Sequence, residues 1–329
     1  MIGLDIGAYS IKAVELKKKD SLLSLTGFKI TEKLQGEPLP ASLKKVLEGA
    51  NFSSTDLNIS FSGNIVSVRV IEMPEMSSED LKNAVKFEVE RFIPFSIEGA
   101  IIDYQIVAKN PAAKKNTVLF AAAREDFVKN FIDVISQIGF RVKSVDVSAV
   151  ALTNAFLNAR PSGEKDEESA FLLLNIGDST SNVSVIHKGV PLVLRDISIA
   201  GRAVSEAIAK SLDVDIKEAY QVKHDPPADK KEAVAETIRM VLNMLSKEIR
   251  LSIGYFENQY SKGVSSIYLS GGSARLLGLR EFLAESLDCQ VESWNPFNSV
   301  AAGEGVSVKA LDDAKEELAI ATGLAIKDD

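Results

Sequence analysis

The chain has 329 residues, of which 46% are hydrophobic and 26% charged, with a formal net charge of −8. This is the profile of an ordinary globular protein of about two domains, able to bury a core without disulfides or metals. The negative balance argues against nonspecific nucleic-acid binding and against direct docking on anionic lipid, both of which need clustered positive charge.

The chain opens on a strand. Ile2, Leu4 and Ile6 lead to Gly7, a polar turn follows at Ala8-Tyr9-Ser10, and residues 11–16 alternate into a second strand, which predicts a hairpin. Residues 64–73 read as another strand, ended by Pro74. Ser77 with Asp80 three positions on has capping-box spacing, and Leu81, Ala84, Val85, Val89 and Phe92 then share one helical face up to Pro94. Strands are expected at 101–107 and 117–123, around a basic loop at Lys114-Lys115, and a helix at 125–138 stopped by Gly139. Residues 64–147 therefore read as a small α+β module inserted in a larger domain. The stretch 160–169, with Pro161, Gly163 and four acids, reads as the linker.

Residues 170–200 read as three short strands, and Gly201 opens a helix to Leu212. Residues 228–260 are helical, with Ile238, Val241, Leu242, Leu245, Ile249, Ile253 and Phe256 on one stripe. A strand at 266–270, a glycine turn, a helix at 278–286 and a closing helix at 312–327 complete the chain. No apolar run of about 18 residues is present, and the first residues already read as strand, not as a signal peptide. The single Cys289 lies between Asp288 and Gln290 in an apolar context and reads as a packed thiol. His187 and His224 stand in no metal-ligand spacing.

Two segments carry the same grammar. Leu4-Asp5-Ile6-Gly7-Ala8-Tyr9-Ser10-Ile11-Lys12 and Leu174-Asn175-Ile176-Gly177-Asp178-Ser179-Thr180-Ser181 both run strand, glycine, polar turn, strand. Glycine leaves no side chain between backbone and ligand, and the amides and hydroxyls of such a turn suit phosphate oxygens. One copy would be an ordinary hairpin; two copies half a chain apart suggest duplicated lobes facing one ligand. A third segment, Ser270-Gly271-Gly272-Ser273-Ala274-Arg275-Leu276, places paired glycines between a strand and a helix, where the backbone can approach a planar ligand.

Together these segments resemble the superfamily of actin, the sugar kinases and the heat-shock chaperone ATPases. The first hairpin is similar to its phosphate-1 motif, the second to phosphate-2, and residues 270–279 to its adenosine motif. Residues 197–205, with Gly201, resemble the strand–glycine–helix stretch after phosphate-2. Residues 218–223 resemble the helix whose lysine, here Lys223, reaches the nucleoside, and 319–325 resemble the terminal connecting helix. Within the superfamily, Met73-Pro74-Glu75-Met76-Ser77, the run from Phe87 through Glu90-Arg91-Phe92-Ile93-Pro94-Phe95 to Glu98, and Asp103-Tyr104 resemble the PilM family of the FtsA/PilM branch.

The resemblance implies an α/β, actin-like (RNase H-like) two-lobed ATPase fold carrying an inserted α+β module, the FtsA-type domain 1C, which is SHS2-like. It implies lobe 1 at 1–63, 148–167 and 312–329, the module at 64–147, lobe 2 at 168–212 and 263–311, and a helical outer part at 213–262. ATP with Mg²⁺ would sit between the lobes, against Asp5, Gly7, Ala8, Tyr9, Ser10, Lys12, Asn175, Gly177, Asp178, Ser179, Thr180, Ser181, Gly201, Lys223, Gly271, Gly272, Ser273 and Leu276. Asp5 and Asp178 would orient the metal. The second strand ends in Asn175 where the superfamily usually has aspartate, and Ala8 replaces a more usual serine, so weak hydrolysis or none is expected, and no catalytic residue is assigned.

The implied role is a cytoplasmic platform of type IV pilus assembly. It would bind the N-terminal peptide of a PilN-like inner-membrane protein, with Phe92-Ile93-Pro94-Phe95 and residues 64–71 as groove walls, and would work beside other pilus assembly proteins. It would reach the inner membrane through that partner, with no anchor of its own. Self-association is raised by the actin-like resemblance and reported by nothing local in the chain. A small-molecule kinase of the same fold would need a general base, for which only Asp178 stands near the second turn. An FtsA-like protein would end in a basic amphipathic helix, and a GspL-like one would continue into a membrane helix; the run 325–329 is neither.

Overall fold

The structure, a computed structural model, describes all residues except 21, 35, 51, 161–167 and 328–329. The expected linker around Pro161 and Gly163 lies outside the described residues.

Three sheets organise the molecule. The first follows from the opening hairpin. Strand β1 (Ile2–Ile6) pairs antiparallel with β2 (Ser10–Lys19), which pairs antiparallel with β3 (Leu22–Glu32). After helix α1 (Leu39–Glu48), β4 (Asp56–Phe61) returns parallel to β1. The chain then leaves this layer. β5 (Val66–Pro74), helix α2 (Ser78–Glu90), β6 (Ala100–Asn110) and β7 (Lys115–Arg124) form a three-stranded sheet in the order β5-β7-β6. The Ser77 hydroxyl accepts from the Asp80 amide, the N-cap its spacing announced. Leu81, Val85 and Val89 bury α2 against Val118 and Phe120.

The inserted unit is smaller than the sequence suggested. Helix α3 (Glu125–Gln137) packs Val128, Phe131 and Ile135 among Ile2, Leu4, Leu43 and Ile59, and β8 (Arg141–Val147) pairs parallel with β4. Residues 125–147 thus belong to the first lobe. Asp56 and Arg141, at the start of that parallel pair, form a bidentate ion pair of 2.7 Å on both arms.

Helix α4 (Ser148–Ala159) leads to the second lobe. There β9 (Ala170–Ile176), β10 (Ser181–His187) and β11 (Val190–Ile197) form an antiparallel meander. Helices α5 (Gly201–Leu212), α6 (Ile216–His224) and α7 (Lys231–Tyr260) follow. Strand β12 (Val264–Ser270) lies parallel to β9, and after helix α8 (Leu279–Leu287) strand β13 (Gln290–Ser293) extends the sheet to β11-β10-β9-β12-β13. The stripe of α7 sits in one core with β9 and β12: Ile238, Leu245, Ile249 and Phe256 join Leu172, Leu174 and Ile267. The residues expected as an outer part therefore share the core of the lobe. Cys289 packs half-buried against that core.

The chain goes back to the first lobe earlier than expected. Phe297 packs with Val14, Leu16 and Leu25, and β14 (Val300–Ala302) pairs parallel with β3, completing the sheet β14-β3-β2-β1-β4-β8. The expected single closing helix is two, α9 (Val308–Ala314) and α10 (Ala319–Ile326). Buried Asn58 on β4 donates to the carbonyls of Leu324 (2.9 Å) and Lys327 (3.2 Å), satisfying the end of α10. With α4, α10 joins the lobes: Leu152, Phe156, Ile320 and Leu324 share a cluster with Phe171 and Leu173 of β9.

Candidate functional site

The two hairpins close in the same way. The Gly7 amide donates to the Ser10 carbonyl at 3.0 Å, and the Gly177 amide to that of Thr180 at 3.1 Å. The second turn is then built into its surroundings. Its Gly177 carbonyl accepts from the Gly201 amide (3.0 Å) and from Ser273 Oγ (3.3 Å), while the Asp178 carbonyl accepts from the Arg202 amide (2.7 Å). The Ser273 amide donates to Ile176 O at 3.0 Å. The second hairpin, the start of α5 and the paired-glycine turn are thus one hydrogen-bonded unit, as their spacing in sequence could not show. Glycine is required at two of these junctions. A Cβ on Gly201 would lie 2.2 Å from Ser273 Oγ, and one on Gly271, at φ +93°, 2.4 Å from Ile176 O.

The polar residues fall into two groups. Asn175, buried at the end of β9, belongs to a relay: Ser270 Oγ donates to its Oδ1 (3.3 Å), its Nδ2 to Asn182 Oδ1 (3.0 Å), and Asn182 Nδ2 to Asp196 Oδ1 (2.7 Å). Asp196 Oδ2 also accepts from the Gly63 amide at 2.6 Å, tying β11 to the start of the inserted module. Charged groups line the turns. Lys12 Nζ lies 3.5 Å from Asp5 Oδ2, and Lys33 Nζ donates to Gly7 O at 3.4 Å. Arg202 donates to Asp178 Oδ2 through two nitrogens (3.1 and 2.8 Å), and the Tyr220 hydroxyl to Oδ1 at 2.5 Å.

Lys223 is 3% exposed. Its ammonium has one hydrogen-bond acceptor among the described residues, Gly201 O at 3.3 Å, and stands 4.5 Å from the centre of the Tyr220 ring. Burial brings its pKa down to about 8, with the nearby Asp178 acting against that fall. A buried cation with spare donors is what an anionic or acceptor-rich ligand would satisfy. The glycine turns, Lys12, Arg202 and Lys223 accordingly fit a nucleotide. The fit to a metal is poorer. Asp178 has both oxygens engaged, Asp5 is shared with Lys12, and among the described residues no three His, Cys, Asp or Glu side chains cluster to hold an ion.

Of the expected positions, Asp5, Gly7, Ala8, Tyr9, Ser10 and Lys12 lie on the first hairpin, and Gly177, Asp178, Ser179, Thr180 and Ser181 on the second. Gly271, Gly272, Ser273 and Leu276 follow β12, with Leu276 4% exposed in the core of the second lobe. The sequence reading missed Arg202, Tyr220 and Lys33, which reach the turns from a helix start, a helix face and the end of β3.

A concavity of about 610 Å³ lies where the inserted module meets the first lobe. Phe95 and Gly99 come from the module; Arg124, Glu125, Asp126 and Lys129 come from the end of β7 and the start of α3. Arg124 pairs with Asp126 and Lys129 with Glu125, each at 2.6 Å, so its charges are balanced internally. Phe95 is half-buried and also packs on the module core, whereas Phe92 is 39% exposed. The other expected wall, β5, turns Val68 into a buried cluster with Leu194 of β11.

Two lobes joined by α4 and α10, each carrying a glycine hairpin closed by the same amide-to-carbonyl bond, define an actin-like ATPase fold. The same fold is found in the ethanolamine utilization protein EutJ from Carboxydothermus hydrogenoformans, at 15% identity and a TM-score of 0.51 over 99% of this chain and 88% of that one. The similarity is far greater to the PilM-PilN type IV pilus biogenesis complex: 26% identity and a TM-score of 0.87 over 99% of this chain and 97% of that chain. Residues 3–329 match the model of the type IV pilus assembly protein PilM family, and the chain belongs to that family. Among the described residues no helix is long and apolar enough to cross a membrane.

Proposed function

We propose that this chain is a nucleotide-binding platform of type IV pilus assembly. In this reading it takes ATP between its lobes, binds an extended peptide from the cytoplasmic N-terminus of a PilN-like membrane protein beside the inserted module, and reaches the inner membrane through it. The peptide half of the reading rests on the concavity between the module and the first lobe. Its internally paired charges leave Phe95 and Ser96 to read the ligand, which suits an extended peptide with an apolar side chain.

Gly99 gives a direct test, because it lines the concavity and a Cβ added there meets nothing within 4 Å, so the backbone accepts a side chain at this position. Titrating the partner's N-terminal peptide into the full chain should give saturable binding, and Gly99→Trp should weaken it at least tenfold at unchanged melting temperature. Equal affinity for both proteins would place the peptide elsewhere.

The nucleotide half rests on the buried Lys223 and the twin glycine turns. Lys12 and Arg202 would offset phosphate charge, and the 271–273 turn would lie by the nucleoside; Asp5, held by Lys12, is assigned no metal. With Asn175 inside a buried relay and Asp178 engaged by Arg202 and Tyr220, no residue is assigned as a general base, and turnover is slow or absent. A thermal shift with ATP checks the binding: at a hundredfold over Kd the native state gains about 2.7 kcal/mol. No shift at millimolar nucleotide, with or without Mg²⁺, would remove this half and leave the peptide half standing.

A further inference from the structure

Tyr9 lies in the turn of the first hairpin and Tyr220 on α6, so the two belong to opposite lobes. Their rings nevertheless stack, with centroids 4.8 Å apart and planes 14° from parallel. The Tyr220 hydroxyl donates to Asp178 Oδ1 in the second turn, and Arg202 holds the other oxygen. A continuous line of contacts therefore joins the two phosphate-type turns: first turn, Tyr9, Tyr220, Asp178, second turn. Neither tyrosine is part of the buried core of its lobe. A hairpin turn has no need of a large aromatic residue, and its best local choices are small and polar.

We propose that Tyr9 and Tyr220 form a clasp across the cleft that retains the nucleotide. They are positioning residues: they fix the spacing of the two turns and must part before the ligand can leave. This inference rests on the nucleotide half of the reading above. Both hydroxyls remain protonated at physiological pH. Burial and a hydrogen bond with Glu32 push Tyr9 up to about 12, and burial with the Asp178 bond raises Tyr220 further, so the clasp works by contact and not by titration. An aromatic pair of this geometry corresponds to about a threefold to tenfold change in a rate it controls.

The test is the dissociation rate of a fluorescent N-methylanthraniloyl ATP from the full chain, chased with excess ATP. Tyr9→Ala and Tyr220→Ala should each speed release by about three- to tenfold. Tyr9→Phe, which keeps the ring and loses only the bond to Glu32 in its own lobe, should release more slowly than Tyr9→Ala. Tyr220→Phe, which keeps the stack and loses the bond to Asp178, should fall between wild type and Tyr220→Ala. Release from Tyr9→Ala at the wild-type rate would overturn the clasp. If the wild-type chain binds no nucleotide, the nucleotide reading fails, and the clasp is then judged by amide hydrogen exchange of the ligand-free chain. Faster exchange in both turns of Tyr9→Ala supports it, and unchanged exchange overturns it.

Discussion

Replacing Lys223 by methionine should make the protein more stable and cost it nucleotide affinity. The wild-type ammonium is almost fully buried with one hydrogen-bond acceptor among the described residues, and burial lowers its pKa from 10.5 to about 8. A shift of that size corresponds to about 3 kcal/mol of disfavoured charge. Methionine keeps the length and removes the charge, so a gain of about 1–3 kcal/mol is expected at pH 7 by denaturant unfolding. The pH dependence has a definite sign. Below about 8 both folded and unfolded chains carry the proton, and the penalty is complete. Between about 8 and 10.5 the unfolded chain binds more protons than the fold, so wild-type stability rises with pH across that window and the methionine variant lacks the rise.

The same ammonium explains the expected loss. A phosphate or acceptor-rich nucleoside beside it favours the protonated form, so binding takes up a proton once the free site has lost it. Wild-type affinity should therefore weaken as pH increases through about 8, and Lys223→Met should bind at least tenfold more weakly at pH 7. A variant that is less stable than wild type, or that binds ATP equally well, would show that Lys223 is satisfied in the free protein and is a structural residue.

Lys223 also marks how far the sequence could be read. The twin hairpins were legible because glycine, a polar turn and alternating strands are local signals, and α2 was legible because its cap lies three residues from its partner. What depends on distant pairing was not. The strand at β8 has the same alternation as the strands of the inserted module, and only its pairing with β4, some eighty positions earlier in the chain, assigns it to the first lobe. The segment 17–63 yielded no elements. β4 carries Asn58 and Ser60 among its apolar residues, and these are buried only because α10 offers carbonyls to one and Ser148 a hydroxyl to the other. Candidate site residues on the glycine turns were found by motif. Arg202 follows a glycine that was noticed, and Tyr220 precedes a lysine that was noticed, yet their shared grip on Asp178 joins positions 24 and 42 residues from it. Periodicity carries no information of that kind.

Asn175 is where sequence and structure give different reasons for one residue. Read along the chain, it is an amide in a position the superfamily usually gives to aspartate, and Asn175→Asp would restore charge for a metal. In the fold, its amide is one link of a directional relay. Asp196 can only accept, so Asn182 must turn its Nδ2 toward Asp196 and its Oδ1 toward Asn175, which must then donate. Asn175→Asp puts a carboxylate against the Asn182 oxygen at a site that is 6% exposed. Loss of the donor and burial of a charge should cost about 2–4 kcal/mol, and turnover should not increase. The relay can be run in reverse. When Asn175→Asp is combined with Asp196→Asn, the new amide at position 196 donates to Asn182, and Asn182 donates to the new carboxylate at position 175. The Gly63 amide still has an acceptor. The double variant should therefore be more stable than the sum of the two single losses, with a coupling of at least about 1 kcal/mol in a double-mutant cycle. Part of the loss remains, because the charge has moved from a half-exposed site to a buried one. Additive losses would mean that direction is not what holds this relay together, and that Asn175 is kept for its shape.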